Sequence, residues 1–169
     1  MRIFTIGFTK ATAEHFFARL RKAGVARVID VRLHNTSQLA GFTKRDDLAF
    51  FLREIAGIEY LHLPLLAPTK EMLHAYRHGG GGWSAYEQRF LHLMAERRIA
   101  ERVDRGIMDR ACLLCSEPAP HACHRRLVAE HLRSAWGGVE IQHLQPHDDV
   151  ADVGQAEAPA GASGGGPGA

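Results

Sequence analysis

An alternation restricts the fold of this chain more than any other feature. Five short, continuous apolar runs, "RIFTIG" (2–7), "ARVIDVR" (26–32), "IEYLHL" (58–63), "ACLLC" (111–115) and "VEIQHL" (139–144), are separated by stretches whose apolar residues recur at helical spacing. A run without polar alternation is a strand covered on both faces. Strands separated by helices pair in parallel, because the crossover returns the chain to the edge it started from. The pattern predicts an α/β domain of three layers: a mostly parallel five-stranded sheet with helices on both faces.

The segment 12–23 sets Phe16, Phe17 and Leu20 on one face and stops at Gly24, and 44–56 groups Leu48, Phe51, Leu52 and Ile55. The second helix opens with "TKRD", from Thr43 to Asp46, and closes at Gly57, a cap at each end. A short helix is expected from Thr69. After the glycine run Gly79 to Gly82, a mobile lid or a slack connection, a longer helix begins at the capping box "SAYE" (84–87), with Tyr86, Phe90 and Met94 on one stripe. The last helix is predicted over 123–135. Residues 1–145 read as one domain. Residues 146–169, rich in Gly, Ala and Pro, read as a disordered tail that buries too little to offset the entropy of ordering.

No apolar run reaches the eighteen or so residues of a membrane span, and the start "MRIFTIGF" reads as a strand rather than a signal peptide. A cytoplasmic protein is expected. Cys112, Cys115 and Cys123 are an odd number, which argues against a disulfide framework and for reduced thiols. The formal charge is +2, but four of the 19 acids lie in 148–169, so the body carries 21 cationic residues against 15 acids. That modest excess suits an anionic ligand.

In parallel sheets ligands bind beyond the carboxyl ends of the strands, and here those ends are chemical. The first strand runs through Gly7 into Thr9; the second ends with Asp30, Arg32, His34, Asn35 and Ser37; the third carries His62 just before Pro64; the fourth empties into Ser116 and Glu117. Asp30 and Arg32 share a face of a buried strand, so either they neutralise each other or Arg32 reaches a phosphate or carboxylate with its planar fork. His62 is either a satisfied core histidine or a pocket residue.

The densest stretch is "LLCSEPAPHACHRR" (113–126). A redox pair of Cys112 and Cys115 is disfavoured, because residues three apart in a strand point to opposite faces. Cys115, Cys123 and His124, with His121 or a remote histidine such as His62 in support, form an irregular set of metal ligands for zinc or iron. Cys123 beside His124 near a helix start is a candidate nucleophile, although the residue six after Cys123 is Ala129 and the Cys-x5-Arg phosphate loop is absent. An anion cradle explains most of the stretch: a loop entering a helix offers free N–H groups, with Arg125 and Arg126 beside them. Two arginines in a first helical turn oppose the dipole, so at least one needs another partner. On the plainest reading Arg126 faces solvent and the cysteines are small core residues.

"FTIGFT", "DVRLHNTSQLAGF", "YLHLPLLAPT" and "LLCSEPAPHACHRRLVAEHL", in this order, resemble the bacterial and archaeal family catalogued as domain of unknown function 488, over about residues 1–145. The resemblance implies a single α/β domain and a loose association with nucleic-acid processing, with no established reaction. Its motif positions fall on Gly7, Asp30, Arg32, Ser37, His62, Cys115, Glu117, Cys123, His124 and Arg125. The chain departs from many relatives at Phe8-Thr9, where they carry His-Ser, and at Asn35, where they carry proline.

Together these features predict a pocket for a phosphate-bearing ligand, a nucleotide or nucleic acid. Gly7, Thr9, Arg32, Ser37, Ser116, Arg125 and Arg126 would bind it, and Glu117, His62, His124 and Cys123 would supply acid–base or nucleophilic chemistry. A non-enzymatic anion-binding module uses the same arginines. No cofactor is called for, except zinc or iron in the metal-binding alternative on Cys115, Cys123 and His124. Partners are an anionic small molecule or nucleic acid, and no membrane.

Overall fold

The computed structural model describes residues 1–36 and 40–145. Ser37 and the segment read as a tail, 146–169, lie outside the described residues. Five strands, β1 (Arg2–Gly7), β2 (Arg27–Asp30), β3 (Glu59–His62), β4 (Ala111–Cys115) and β5 (Glu140–Leu144), form one sheet in the order β3-β2-β4-β1-β5, parallel at every pairing. β4 therefore lies between β2 and β1, far from its place in the sequence.

Strand alternation sorts the core into two layers. Phe4, Ile6, Val28, Cys112 and Leu114 pack with Phe16, Phe17 and Leu20 of α1 (Ala13–Lys22) and Leu48 of α2 (Arg45–Phe51). Ile3, Ile29, Ala111 and Leu113 pack on the other face. Their partners there are α3 (Lys70–His78), α4 (Trp83–Glu96), the single turns α5 (Ile99–Arg102) and α6 (Arg105–Met108), and α7 (His124–Trp136). The expected stripe Tyr86, Phe90 and Met94 is buried in this second layer. The predicted three-layer architecture is the observed one. No described helix is long and apolar enough to cross a membrane.

Local departures have local causes. β2 stops at Asp30, two residues early, because the Asp30 carboxylate takes the Arg32 backbone N–H at 3.1 Å and diverts it from the ladder. The helix expected over 44–56 changes into a π turn at Leu52–Ala56, closed by Gly57 at φ 62°, a left-handed conformation that glycine adopts without steric cost. Its anticipated N-terminal box does not form: Lys44 occupies the cap, Thr43 donates its hydroxyl to the Ala40 carbonyl, and Asp46 pairs with Arg45. The "SAYE" box is also absent. α4 starts at Trp83 with Gly82 at its cap, and Glu87 reaches across to Arg126 at 2.9 Å. The glycine run is the turn between α3 and α4. At the expected helix starts Thr12 and Thr69, both hydroxyls accept a backbone N–H, from His15 and Met72.

Candidate functional site

A cavity of about 320 Å³ opens at the carboxyl edge of the sheet, where the chain leaves β2 and β4 and enters α7. Arg32, Leu33 and His34 follow β2; Cys115, Ser116 and Glu117 end and follow β4; Cys123 and His124 open α7. α3 adds Tyr76 and Arg77, and α4 adds Trp83 and Tyr86. These three aromatic rings touch: Trp83 stacks on Tyr86 at 5.2 Å between centroids, and Tyr76 lies 5.0 Å from Tyr86. Of the predicted residues, the structure brings Arg32, Cys115, Ser116, Glu117, Cys123 and His124 into this cavity.

Arg32 both pairs with Asp30 and lines the cavity. Its Nε and Nη2 donate to the two Asp30 oxygens at 2.8 and 2.6 Å, Nη2 also reaches the Thr43 carbonyl, and both residues are buried. Among the described residues, the buried Nη1 has no hydrogen-bond partner. Burial alone would raise the Asp30 pKa, but the hydrogen bonds and charge of Arg32 and the Tyr60 hydroxyl outweigh it and hold the carboxyl below its ordinary value. Phe8 and Asn35 both serve this pair. Phe8 places its ring 5.1 Å from the Arg32 guanidinium carbon, and Asn35 donates to Asp30 at 3.2 Å and to Tyr60 at 3.1 Å.

Arg125 lies elsewhere. It is 1% exposed, and each guanidinium nitrogen donates to the protein: Nε to Thr5 Oγ1, Nη1 to the Glu117 carbonyl and Cys123 Sγ, Nη2 to the Pro118 carbonyl. It ties down the loop between β4 and α7. Gly7 lets that loop approach, since a Cβ there would fall 1.8 Å from the Glu117 carbonyl oxygen. Thr9 joins through its backbone N–H, which donates to the Ser116 carbonyl at 3.1 Å. Arg126 pairs with Glu87 and Glu130, each at 2.9 Å. The expected second partner for the arginines of this first turn is thus present for both. His62 bonds the Arg32 carbonyl through Nε2 at 2.9 Å and is not part of the cavity lining.

The floor of the cavity is a cluster. Among the described residues, Cys115, Cys123 and His124 are a group able to hold a metal ion: all three are buried, and their donor atoms lie within 4.8 Å of one another. Cys115 Sγ is 3.6 Å from His124 Nδ1, while His124 Nε2 is 2.9 Å from the Val31 carbonyl oxygen. The Cys115 thiol is held below its ordinary range, first by the S–H of Cys123, then by backbone N–H groups of Glu117 and Ser116 and the charge of Arg125, against burial. Cys123 is pushed up, because it donates to Cys115 and is buried. Cys112 is separate, facing the α1 layer as strand alternation requires.

The profile of a family described as a domain of unknown function, DUF488, matches residues 12–132. The chain belongs to that family. The matched span of the DUF488 domain runs from the cap of α1 into α7 and contains Arg32, Glu117 and the whole Cys115–Cys123–His124 cluster, whereas Gly7 and Thr9 precede it. No curated protein and no solved structure matches the chain.

Sequence reasoning missed the wall of the DUF488 cavity. Tyr86 reads as core from its helical stripe, and Tyr76, Arg77 and Trp83 flank a glycine run whose geometry no local pattern sets. The available signal was that aromatic residues sit on both sides of that run, with Arg77 and His78 just before it.

Proposed function

We propose that this domain binds a phosphate-bearing ligand of the nucleotide class in the cavity and acts on it by acid–base chemistry. One observation carries the reading: a single cavity is lined by a cluster of three aromatic rings, the basic side chains of Arg32, His34 and Arg77, and the carboxylate-bearing Glu117. An aromatic face suits a nucleobase, and a guanidinium suits a phosphate. The volume lies near the lower end of the roughly 300–1,000 Å³ common for small-ligand sites, which favours a mononucleotide or the end of a nucleic-acid strand over a duplex. Glu117 is the group assigned to proton transfer. Arg125 and Arg126 support the loop and helix rather than the ligand. The three free cysteines suit a reducing compartment such as the cytoplasm.

Calorimetric titration with AMP, GMP, adenosine and inorganic phosphate tests this. Nucleoside monophosphates should bind more tightly than adenosine or phosphate alone, and Arg77→Ala should weaken them roughly tenfold, about 1.4 kcal/mol. Glu117→Gln should retain binding and lose turnover; binding without turnover in the wild type would leave a non-enzymatic module. A single-stranded oligonucleotide whose affinity falls steeply with salt would identify nucleic acid as the partner. Absence of binding by every probe would overturn the proposal.

A further inference from the structure

We infer that Cys115, Cys123 and His124 form a mononuclear site for a zinc-class divalent cation, with its open coordination position facing the cavity. The inference stands apart from the nucleotide reading, since a cation can bind here whatever ligand the cavity takes.

Four observations converge. The first is distance. Sulfur and nitrogen ligands sit about 2.3 and 2.0–2.1 Å from a tetrahedral zinc, which separates them from each other by about 3.6 Å. Cys115 Sγ and His124 Nδ1 are 3.6 Å apart, and Cys123 Sγ completes a trio within 4.8 Å.

The second is the tautomer. A carbonyl oxygen only accepts, so the 2.9 Å contact with Val31 makes His124 Nε2 the protonated nitrogen. In the neutral ring Nδ1 is then a bare lone pair beside the Cys115 sulfur. Metal-ligating histidines are oriented in this way, with the distal N–H fixed by a carbonyl or carboxylate.

The third is rigidity. Cys115 ends β4, an interior strand of the sheet, and Cys123 and His124 open the 13-residue α7. Arg125 ties the intervening loop to both, through the Glu117 and Pro118 carbonyls and Cys123 Sγ. Little ordering remains to be done when a cation arrives.

The fourth is charge. Arg125 is buried, and among the described residues no carboxylate pairs with it; its neighbours are carbonyls, a hydroxyl and Cys123 Sγ at 3.3 Å. Two thiolates neutralise a divalent cation and leave the Arg125 charge over, so the fourth position favours an anion such as hydroxide or a phosphoryl oxygen. Two sulfurs and one imidazole select zinc over magnesium or calcium, which take oxygen ligands. All three residues line the cavity. A tetrahedral cation with three protein ligands has one position left, and catalytic zinc sites keep that position open.

The test uses the full chain, purified without chelator and then stripped and titrated with zinc(II) and cobalt(II) under reducing conditions. Expected are about one zinc per chain by mass spectrometry and thiolate-to-metal charge-transfer absorption with cobalt. Cys123→Ser and His124→Gln should bind zinc roughly 100-fold more weakly, whereas Cys112→Ala should bind as the wild type does. Zinc binding unchanged in folded Cys123→Ser would overturn the assignment. Should that variant fail to fold, the wild-type cobalt spectrum decides: thiolate charge transfer upholds the site, and its absence overturns it. Loss of nucleotide binding with zinc retained would defeat the proposed function and leave the metal site standing.

Discussion

Arg32 and Arg125 are both almost wholly buried, yet the protein treats them differently. Arg125 gives every guanidinium nitrogen to acceptors of its own chain and holds a loop in place. Arg32 is charge-paired with Asp30 and lines the cavity, and among the described residues its Nη1 has no partner. Burial therefore does not distinguish an arginine enclosed by its own loop from one that lines the cavity; the position of the head group and its acceptors does. A saturated guanidinium has nothing to offer a ligand unless the loop it supports comes apart. An incompletely satisfied one carries the desolvation cost of its unpaired donor.

The comparison can be broken most directly at Arg125. Arg125→Met should cost about 3–5 kcal/mol in urea unfolding, because buried carbonyls lose their donors and the loop its tie. A loss below about 1 kcal/mol would show that the loop does not depend on it. Asp30→Asn should cost about 3 kcal/mol by leaving the Arg32 charge buried without a counter-ion. It should also change the acid limb. The Asp30 carboxyl has a folded pKa below its ordinary 3.8, so its stabilisation is fully present above that value and is lost as pH falls from there through the folded value. The variant should lack this component, and an acid limb unchanged from wild type would show that Asp30 is not the titrating group.

Gly7→Ala sharpens the contrast from the Arg125 side. The new methyl would meet the Glu117 carbonyl at 1.8 Å and lie 3.2 Å from Arg125 Nη1, so the loop must shift at a cost of about 1–3 kcal/mol. A melting temperature equal to wild type would mean that the loop is not held against β1. Phe8→Leu is the smallest change. Removing the ring from the Arg32 guanidinium while keeping the site apolar should cost about 0.5–1 kcal/mol and leave the loop under Arg125 unaffected. Double-mutant combination of Phe8→Leu with Arg32→Lys should show a coupling absent between Phe8 and Arg125.

Much of the fold was readable locally. Each of the five apolar runs contains one strand, and the Thr12 and Thr69 starts are true caps. Strand parity correctly kept Cys112 away from Cys115. The failures were also local patterns, overruled by stronger partners: "SAYE" lost Glu87 to Arg126, and "TKRD" lost Asp46 to Arg45. The site was half legible. "CSEPAPHACHRR" identified the cluster residues, but the same stretch suggested an anion held by Arg125, whose guanidinium turns to the chain's own carbonyls. The one α3–α4 turn that creates the aromatic wall left no period to read.

By itself the sequence determined the strands, the helices that cover them and the faces their side chains take, because hydrophobic period and capping are properties of neighbouring residues. It also required another partner for at least one arginine at the start of α7, since the dipole conflict is local. Only the tertiary structure decided the strand order. Placing β4 between β2 and β1 brings the Val31 carbonyl to His124, 93 residues further along, and so fixes which ring nitrogen faces the sulfurs. Strand pairing is settled by how whole layers pack, and no local period encodes which edge a returning strand will take.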